Sequence, residues 1–181
     1  MIELIESVFD GLKLFKPRVF PDNRGYFLET YNSRDFAAFG LPENFAQDNL
    51  SSSRLGTIRG LHYQLPPHEQ GKLVWVIYGR VKDVAVDIRR GSPTFGKHYS
   101  IELSSENHYI FWIPAGFAHG FVTLEENTMF AYKCTQYYQP QAERGIRWDD
   151  PDLGIDWGMQ NPIISSKDVT FPCLSEVTAL F

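Results

Sequence analysis

Short apolar stretches separated by turn residues run along most of this chain. In residues 83–88, valine and isoleucine alternate with aspartate and alanine, which is the period of a β-strand. Residues 73–78 form a continuous apolar run, which is typical of a strand buried on both faces. With turn residues between them, further strands are predicted at 12–15, 18–20, 26–31, 45–50, 59–64, 99–103, 109–113, 121–124 and 128–133.

Strands that follow one another at roughly 8–12-residue spacing predict an all-β sandwich or barrel. Helix signals are few. Residues 33–39 predict one short helix, capped by Asn32 or Ser33 and stopped by Gly40, and a helical turn is predicted near 140–144. Because no repeat, linker or low-complexity segment interrupts the 181 residues, we expect a single domain spanning 1–181.

Composition and charge narrow the classes of function. The net charge of −5 offers no general attraction to nucleic acid or to an anionic membrane surface. No apolar run approaches membrane-spanning length, and the N-terminus lacks the pattern of a signal peptide. Two cysteines provide neither a disulfide framework nor metal-site spacing. A cytoplasmic protein with no nucleic-acid or membrane partner is the expectation.

One predicted strand, at 59–64, carries side chains unsuited to a core. With a period of two, Gly60, His62 and Gln64 share one face. Lys72 opens the next apolar strand, so a lysine and a histidine lead into the same core. Buried polar groups of this kind need a partner, water or a ligand, and we interpret them as the wall of a site.

Each candidate residue also has a structural interpretation. His62 alone could be a hydrogen-bonded core histidine, but His119 follows a turn at the end of a facing strand, and two such histidines favour a site. Lys72 could extend its ammonium group from a strand end to water. Tyr132 could be a packed core tyrosine. The pair at 167–168 has the pattern of surface charge.

The pattern Pro-x-Gly-x-x-His at 114–119, downstream of the strand with His62, resembles the double motif of the cupin barrel. Cupin metal sites use His-x-His, followed by a glutamate seven residues before a glycine. Here Gln64 replaces the second histidine, and Lys72 stands seven residues before Gly79. An amide and a cation are poor substitutes for an imidazole and a carboxylate ligand, so we expect no metal and an organic acid–base site.

A more specific resemblance covers nearly the whole chain in unbroken order. The sequence resembles the dTDP-4-dehydrorhamnose 3,5-epimerase family, a branch of the cupin superfamily. The resemblance implies a double-stranded β-helix, or jelly-roll barrel, with a few short helices. The matching segments are 22–29, 47–51, 59–62, 71–74, 83–87, 92–96, 113–121, 148–151 and 166–168.

This resemblance implies a substrate and a reaction. The substrate would be a dTDP-linked 4-keto-6-deoxyhexose, inverted at the 3′ and 5′ carbons beside the ketone. The family's base matches His62, its orienting aspartate matches Asp168 and its acid matches Tyr132. Lys72 would lie where charge develops on the 4′ oxygen, and His119 would hold the sugar or help to polarise it. No cofactor is expected, because the ketone already acidifies both carbons.

The resemblance also implies a binding surface and a partner. Arg24 and Arg59 match residues near the diphosphate, and Tyr138 matches the aromatic residue that stacks on thymine. The family is a homodimer with exchanged N-terminal strands, so that Arg24, Phe27 and Glu29 would serve the partner's site. Further ligand-contacting positions match Glu29, Gln47, Asn49, Glu143 and Lys167.

Two other functions are compatible with the same residues. A related sugar-nucleotide enzyme could epimerise only one carbon, and His62, Lys72 and Tyr132 would serve that reaction equally well. A sugar-nucleotide-binding cupin without catalysis is the alternative that is not an enzyme, and an intact acid and base argue against it. The number of inverted carbons, the final sugar and the nucleotide preference stay open at this point.

Overall fold

Fourteen strands and few helices make up the part of the chain that the structure describes. A computed structural model describes residues 1–178 and 180–181. The strands are β1 (Ile2–Val8), β2 (Leu12–Pro17), β3 (Val19–Asp22), β4 (Gly25–Leu28), β5 (Gln47–Ser53), β6 (Thr57–Gln64), β7 (Lys72–Tyr78), β8 (Arg80–Asp87), β9 (His98–Ser104), β10 (Ile110–Ile113), β11 (Phe117–Thr123), β12 (Thr128–Cys134), β13 (Glu143–Gly145) and β14 (Ile163–Ile164). The helices are α1 (Ser33–Ala37) and α2 (Ser166–Val169), and Leu174–Glu176 is one turn of 3₁₀ helix.

Two sheets build the barrel. The first has the order β1-β2-β10-β7-β12-β5, and the second has the order β13-β6-β11-β8-β9, with β14 beside β6. Neighbouring strands are antiparallel except for the β14–β6 pair, and β3 and β4 form a separate hairpin. This arrangement confirms the predicted all-β jelly roll. Within the described residues, no helix has the length and apolar character needed to cross a membrane.

Apolar side chains fill three layers. The inner layer lies between the sheets and joins residues such as Val74, Phe111 and Phe130 of the first sheet to Val81 and Phe121 of the second. One outer layer packs α1 against the back of the first sheet, and the other packs the C-terminal region against the back of the second. Burial on both faces explains the continuous apolar run of β7.

Several predictions of strands and helices from the sequence were wrong. β1 was not predicted, because its burial pattern is that of a largely exposed edge strand that pairs only with β2. The helix expected at 33–39 ends at Ala37, with Asn32 as its cap: the Asn32 side chain accepts a hydrogen bond from the Arg34 N–H at 3.2 Å. The helical turn expected near 140–144 is a turn followed by β13.

His119 was assigned to the end of a turn, but it lies in the middle of β11, which begins at Phe117. The register of β11 against β6 explains its position. His119 pairs with His62, whereas Phe121 pairs with Arg59, so two residues of β6 face the single Gly120. This β-bulge shifts the alternation along β6. For that reason Arg59 lines a cavity wall together with His62.

Gly120 is required at the bulge because the two strands touch there. A Cβ on Gly120 would lie 2.8 Å from the Arg59 carbonyl oxygen and 3.0 Å from the Gly60 Cα. Gly60 itself has a φ of +142° and faces the Gly120 Cα. Only glycine fits this contact without moving backbone, and the contact holds the two histidine-bearing strands in register.

We therefore expect Gly120→Ala to lower the free energy of unfolding by about 2 kcal/mol, the usual cost of overpacking. Gly91→Ala is the matched control, since a Cβ there meets no atom within 4 Å. Urea unfolding of both variants and the wild type measures the difference. Equal stability of the two variants would show that β6 and β11 can separate without cost.

Candidate active site

The inner faces of the sheets change from apolar to polar toward one end of the barrel. Along β12, Phe130 belongs to the inner core, whereas Tyr132 and Cys134 face a cavity. Along β7, Val74 belongs to the core and Lys72 lies at the cavity, opposite Cys134 in the register. Since every second side chain of a strand shares a face, the same inward rows form first the core and then the site.

Two cavities meet at this end of the barrel. One has a volume of about 240 Å³ and the other about 590 Å³, and His62, Lys72 and Tyr132 line both. The three residues predicted as base, charge stabiliser and acid thus lie at the junction. The smaller cavity is also lined by the predicted residues Gln47, Asn49, Tyr138 and Glu143, and the larger by Arg59, His119, Lys167 and Asp168.

His62 and Asp168 form a hydrogen-bonded pair. His62 Nε2 lies 2.8 Å from Asp168 Oδ1, and the Gly60 N–H donates to Asp168 Oδ2 at 3.3 Å. Burial opposes ionisation of Asp168, but the hydrogen bonds and charge of its partners outweigh it, so the pKa of Asp168 is below its usual value. A neutral imidazole that donates from Nε2 to this carboxylate leaves Nδ1 as a proton acceptor.

The C-terminal segment holds this pair from outside the sheet. α2 presents Asp168, and Ser165 caps the helix by accepting from the Asp168 N–H at 3.1 Å. Phe171 packs edge-on against His62, with ring centroids 5.7 Å apart. Gly145, opposite His62 in the register, makes room for Phe171, because a Cβ there would lie 2.3 Å from the phenyl ring.

The sequence pattern of surface charge at 167–168 was therefore misleading for Asp168, which is only 3% exposed. Within the single turn of α2, the Asp168 side chain is buried and the side chain of the preceding Lys167 is exposed. Lys167 stays at the cavity rim, where its ammonium group donates to Glu143 Oε1 at 2.8 Å.

His119 forms a second and more deeply buried pair, with Asp83. Its Nε2 lies 2.9 and 3.0 Å from the two Asp83 oxygens, and its ring stacks on Phe130. Burial lowers the pKa of His119, with the Asp83 carboxylate acting in the opposite direction and Lys72 adding to the decrease. Asp83 was not among the predicted site residues. The sequence signal for Asp83 is its position two residues before Ala85, on the face of β8 that packs into the inner core.

Burial also shifts the pKa values of Lys72 and Tyr132. It lowers the pKa of Lys72, and nearby negative groups, including Asp83 and Glu143, counteract only part of this change. Burial raises the pKa of Tyr132, so the phenol keeps its proton well into the alkaline range. Within the described part of the chain, no hydrogen bond restrains the Lys72 ammonium group, which therefore stays available to a ligand in either cavity.

Charged and aromatic groups surround the mouth. The Tyr138 hydroxyl donates to Glu143 Oε2 at 2.8 Å, and Tyr138 is about half exposed. Burial disfavours the ionised form of Glu143, but hydrogen bonds from Lys167 and Tyr138 lower its pKa below the usual value. Arg59 donates from Nε to Ser53 Oγ at 3.0 Å, which fixes the guanidinium on the wall of the larger cavity.

Three predicted binding residues lie away from both cavities. Arg24 is at the tip of the β3–β4 hairpin, where it pairs with Asp22 at 2.6 Å. Phe27 is on β4 with 64% of its surface exposed. Glu29 follows β4, and its Oε2 accepts from the N-terminal amine at 3.3 Å. Within a single chain, the structure does not bring these residues to His62.

Gln64, predicted to lie where a metal ligand would be, lines the smaller cavity. Its amide is committed to the protein backbone, because it bonds the carbonyl groups of His68 and Tyr137 and the N–H of Gln139. Among the described residues, no cluster of three or more histidine, cysteine, aspartate or glutamate side chains could hold a metal ion.

The fold and the site define a cupin-type jelly-roll protein in which two histidine–aspartate pairs, a lysine and a tyrosine come together where two cavities meet. The sequence profile of the family described as dTDP-4-dehydrorhamnose 3,5-epimerase matches residues 6–176. This chain belongs to that family, which confirms the resemblance seen in the sequence.

Individual relatives agree over nearly the full length. The dTDP-4-dehydrorhamnose 3,5-epimerase of Pseudomonas aeruginosa is 56% identical over 157 residues, which cover 86% of each chain. The Bacillus anthracis enzyme of the same name, solved with TDP and pyrophosphate bound, superimposes with a TM-score of 0.94 at 43% identity, covering 96% of this chain and 99% of that one. The Legionella pneumophila epimerase, in complex with dTDP-4-keto-L-rhamnose, gives 0.93 at 45% identity, covering 98% and 95%.

A relative of different specificity has the same fold. A 3′-monoepimerase from Streptomyces bikiniensis, solved with dTDP-quinovose, has a TM-score of 0.89 at 33% identity, covering 93% of this chain and 86% of that one. Its identity is lower than that of the 3,5-epimerases above. The fold alone therefore does not determine how many carbons are inverted.

Proposed function

We propose that this protein inverts the 3′ and 5′ carbons of dTDP-4-dehydro-6-deoxy-D-glucose to give dTDP-4-dehydro-L-rhamnose. The observation that carries the proposal is the meeting of His62, Lys72 and Tyr132 at the junction of two cavities. His62 comes from one sheet, and Lys72 and Tyr132 come from the facing sheet. A sugar ring between them has a base on one face and an acid on the other, as inversion requires.

His62 is the base in this proposal. It removes the proton from a carbon next to the 4′ ketone, and the electron pair of that C–H bond moves onto the ketone oxygen. Asp168, 2.8 Å away, orients the imidazole and stabilises the imidazolium that forms. The low pKa of Asp168 supports this role, because the carboxylate stays ionised while its partner gains the proton.

Lys72 stabilises the negative charge that develops on the 4′ oxygen. Its ammonium group is free of other hydrogen bonds in the described residues and lies in a partly dehydrated site, where a fixed donor is worth more than in water. His119, held by Asp83 in the wall of the larger cavity, contacts the sugar. Removing one donor of this kind costs about 10²–10³ in rate.

Tyr132 is the acid. After His62 has removed the proton, the phenol returns one to the same carbon from the opposite face, and the C–H bond forms with inverted configuration. The raised pKa of Tyr132 keeps the phenol protonated before this step. Solvent then removes the proton from the His62 imidazolium and returns one to the Tyr132 phenolate, and repetition at the second carbon beside the ketone gives the double inversion. The reaction needs no oxidant, reductant or cofactor, since one proton is lost and one is gained at each carbon.

The rim binds the nucleotide. Arg59 and Lys167 line the larger cavity, and their positive charges suit a diphosphate. Tyr138 offers a half-exposed ring for stacking on thymine. Gln47, Asn49 and Glu143 complete the polar wall of the smaller cavity. Relatives solved with TDP and with dTDP-4-keto-L-rhamnose support this assignment.

The active form is a homodimer in which each chain lends its N-terminal strands to the partner. Arg24, Phe27 and Glu29 line neither cavity of their own chain, although the family resemblance gives them ligand contacts. The hairpin that carries the first two exposes Phe20, Tyr26 and Phe27. Exposed aromatic residues on a separate two-stranded unit are unfavourable in an isolated chain, and a second copy would cover them.

The second candidate function is inversion of a single carbon. The structural similarity to a 3′-monoepimerase is the observation that favours it. Both reactions begin with the same proton abstraction, so the residues at the cavity junction do not separate them. They differ in the number of carbons whose hydrogen exchanges with solvent. A binding protein without catalysis would exchange none.

We expect wild-type protein in deuterium oxide to exchange hydrogen at both carbons of the dTDP-4-keto sugar, and folded His62→Ala protein to exchange neither. Loss of the base stops the first step at each carbon. Proton NMR counts the exchanging positions, and circular dichroism checks the fold. Exchange at one carbon in the wild type would select the monoepimerase. Near wild-type exchange in His62→Ala protein would remove His62 as the base.

Tyr132→Phe should separate exchange from inversion. The substitution keeps the ring and removes only the transferable proton, so His62 and Lys72 can still form the enolate. Deuterium exchange should therefore survive at one or both carbons, while product formation falls by about 10²–10⁴. Both rates are measured in the same NMR sample. Wild-type rates of both exchange and product formation would show that Tyr132 is a packed core residue and not the acid. Loss of both in a folded protein would show that the phenol acts in an earlier step.

Strand exchange predicts complementation between two inactive variants. In a mixed dimer of His62→Ala and Arg24→Ala chains, one site receives His62 from one chain and Arg24 from the other. Random pairing should restore about one quarter of the wild-type sites, since half of the dimers are mixed and each has one intact site. Activity of the co-expressed pair is compared with that of each variant alone. No gain over the Arg24→Ala protein would mean that Arg24 acts within its own chain.

A further inference from the structure

The segment 136–139, which carries Tyr138 to the cavity rim, is held by side chains of one type. Four backbone groups, one on each residue of the segment, bond to three glutamines outside the segment. Gln70 Nε2 donates to the Gln136 carbonyl oxygen at 2.7 Å, and Gln64 Nε2 donates to the Tyr137 oxygen at 3.2 Å. The Tyr138 N–H donates to Gln47 Oε1 at 2.9 Å, and the Gln139 N–H donates to Gln64 Oε1 at 2.7 Å.

We call Gln47, Gln64 and Gln70 the glutamine clamp. They come from β5, from β6 and from the loop before β7, and all three line the smaller cavity. Gln64 is the central member, because it is only 3% exposed and bonds the segment at two points. Its Nε2 also donates to the His68 oxygen at 2.6 Å. With both faces of its amide engaged, Gln64 acts on the backbone and not on a ligand.

The chemistry of the amide explains why glutamine suits this task. Gln64 meets a carbonyl group and an N–H group of the segment with one short side chain, which therefore needs both a donor and an acceptor. A carboxylate supplies only acceptors and an ammonium group only donors. A neutral amide supplies both, adds no charge to a cavity that already holds Lys72 and Glu143, and does not titrate.

Outside the clamp, the Tyr137 N–H donates to Gln136 Oε1, and the Gln139 carbonyl oxygen accepts from the N–H groups of Ala142 and Glu143. Tyr137 and Tyr138 are 63% and 47% exposed, so apolar packing contributes little to their placement. Outside the clamp, the Tyr138 side chain is held at its hydroxyl by Glu143. The direction of the Tyr138 ring therefore depends on the backbone bonds that the clamp provides, together with the hydrogen bond from its hydroxyl to Glu143.

We propose that Gln64 and Gln70, with Gln47, are positioning residues that orient segment 136–139 so that Tyr138 presents its ring to the base of the nucleotide. The inference rests on the proposed function in one respect, namely that Tyr138 receives the thymine ring. A ring fixed before binding loses less freedom when the nucleotide arrives, so the clamp raises affinity by preorganisation. It does not take part in proton transfer, and its effect falls on KM and on dTDP binding.

Gln64→Met tests this role, because methionine has a similar length and loses the amide. We expect the Kd for dTDP, measured by calorimetry, and the KM for the sugar nucleotide to rise about tenfold, the factor that corresponds to 1.4 kcal/mol. The value of kcat should stay within about twofold, since His62, Lys72 and Tyr132 are unchanged. Hydrogen exchange of the Gln139 amide should accelerate, because that group loses its acceptor.

Gln70→Met is the second variant, since Gln70 is partly exposed, makes one bond to the segment and should not disturb folding. We expect its Kd for dTDP to rise by about threefold, the effect of one weak hydrogen bond. Gln160→Met is the matched control at an exposed glutamine outside the clamp, and its Kd should equal that of the wild type. If Gln64→Met protein does not fold, the comparison of Gln70→Met with Gln160→Met decides the question.

Unchanged dTDP affinity in folded Gln64→Met and Gln70→Met proteins would overturn the inference and leave the proposed function intact. A fall in kcat with unchanged KM would also overturn it, because Gln64 would then act on the chemical step. If the wild-type protein binds no dTDP, the proposed function itself fails. The two failures are thus distinguishable.

Discussion

The site depends on the close contact between β6 and β11 at Gly60 and Gly120. Because no side chain separates the strands there, an extra residue of β6 is accommodated as a bulge, and His62 comes to lie opposite His119. The same bulge directs Arg59 to the wall of the larger cavity. It also leaves the Gly60 N–H free of the strand ladder, and this group donates to Asp168. One backbone contact thus sets the register of the second sheet and the position of the histidine–aspartate pair.

The two histidine–aspartate pairs have similar chemistry but different surroundings. His119 and Asp83 lie inside the barrel, at 7% and 0% exposure, where an uncompensated charge would be costly. His62 keeps 27% of its side chain exposed to the cavity while Asp168 is covered. His119 of the buried pair forms part of the wall of the larger cavity, whereas the imidazole of the more open pair lines both cavities. Lys72 also lines both cavities.

The cavity rim is built from irregular segments tied to the barrel by polar side chains. Glu143 joins Tyr138 to Lys167, and Lys167 precedes Asp168 on α2. The glutamine clamp holds the other side of the Tyr138 segment. Because hydrogen bonds are directional, they fix the orientation of exposed rings that apolar packing leaves free. At the position where a metal-binding cupin has a second histidine, Gln64 instead bonds the backbone of segment 136–139.

The sequence by itself determined the strand pattern, the all-β class and the unusual polar positions of His62 and Lys72, because the alternation of side chains along a strand is a local property. Weakly alternating edge strands such as β1 escaped detection for the same reason. The jelly-roll topology and the candidate Tyr132 came from the resemblance to a known family. Only the tertiary structure decided that His119 pairs with Asp83 and that Gln64 bonds the backbone beside Tyr138. Asp168 lies 106 residues from His62 along the chain, and Gln64 lies 75 residues from Gln139. Whether a charge is at the surface or buried beside a partner depends on strand register and loop packing, which no local pattern specifies.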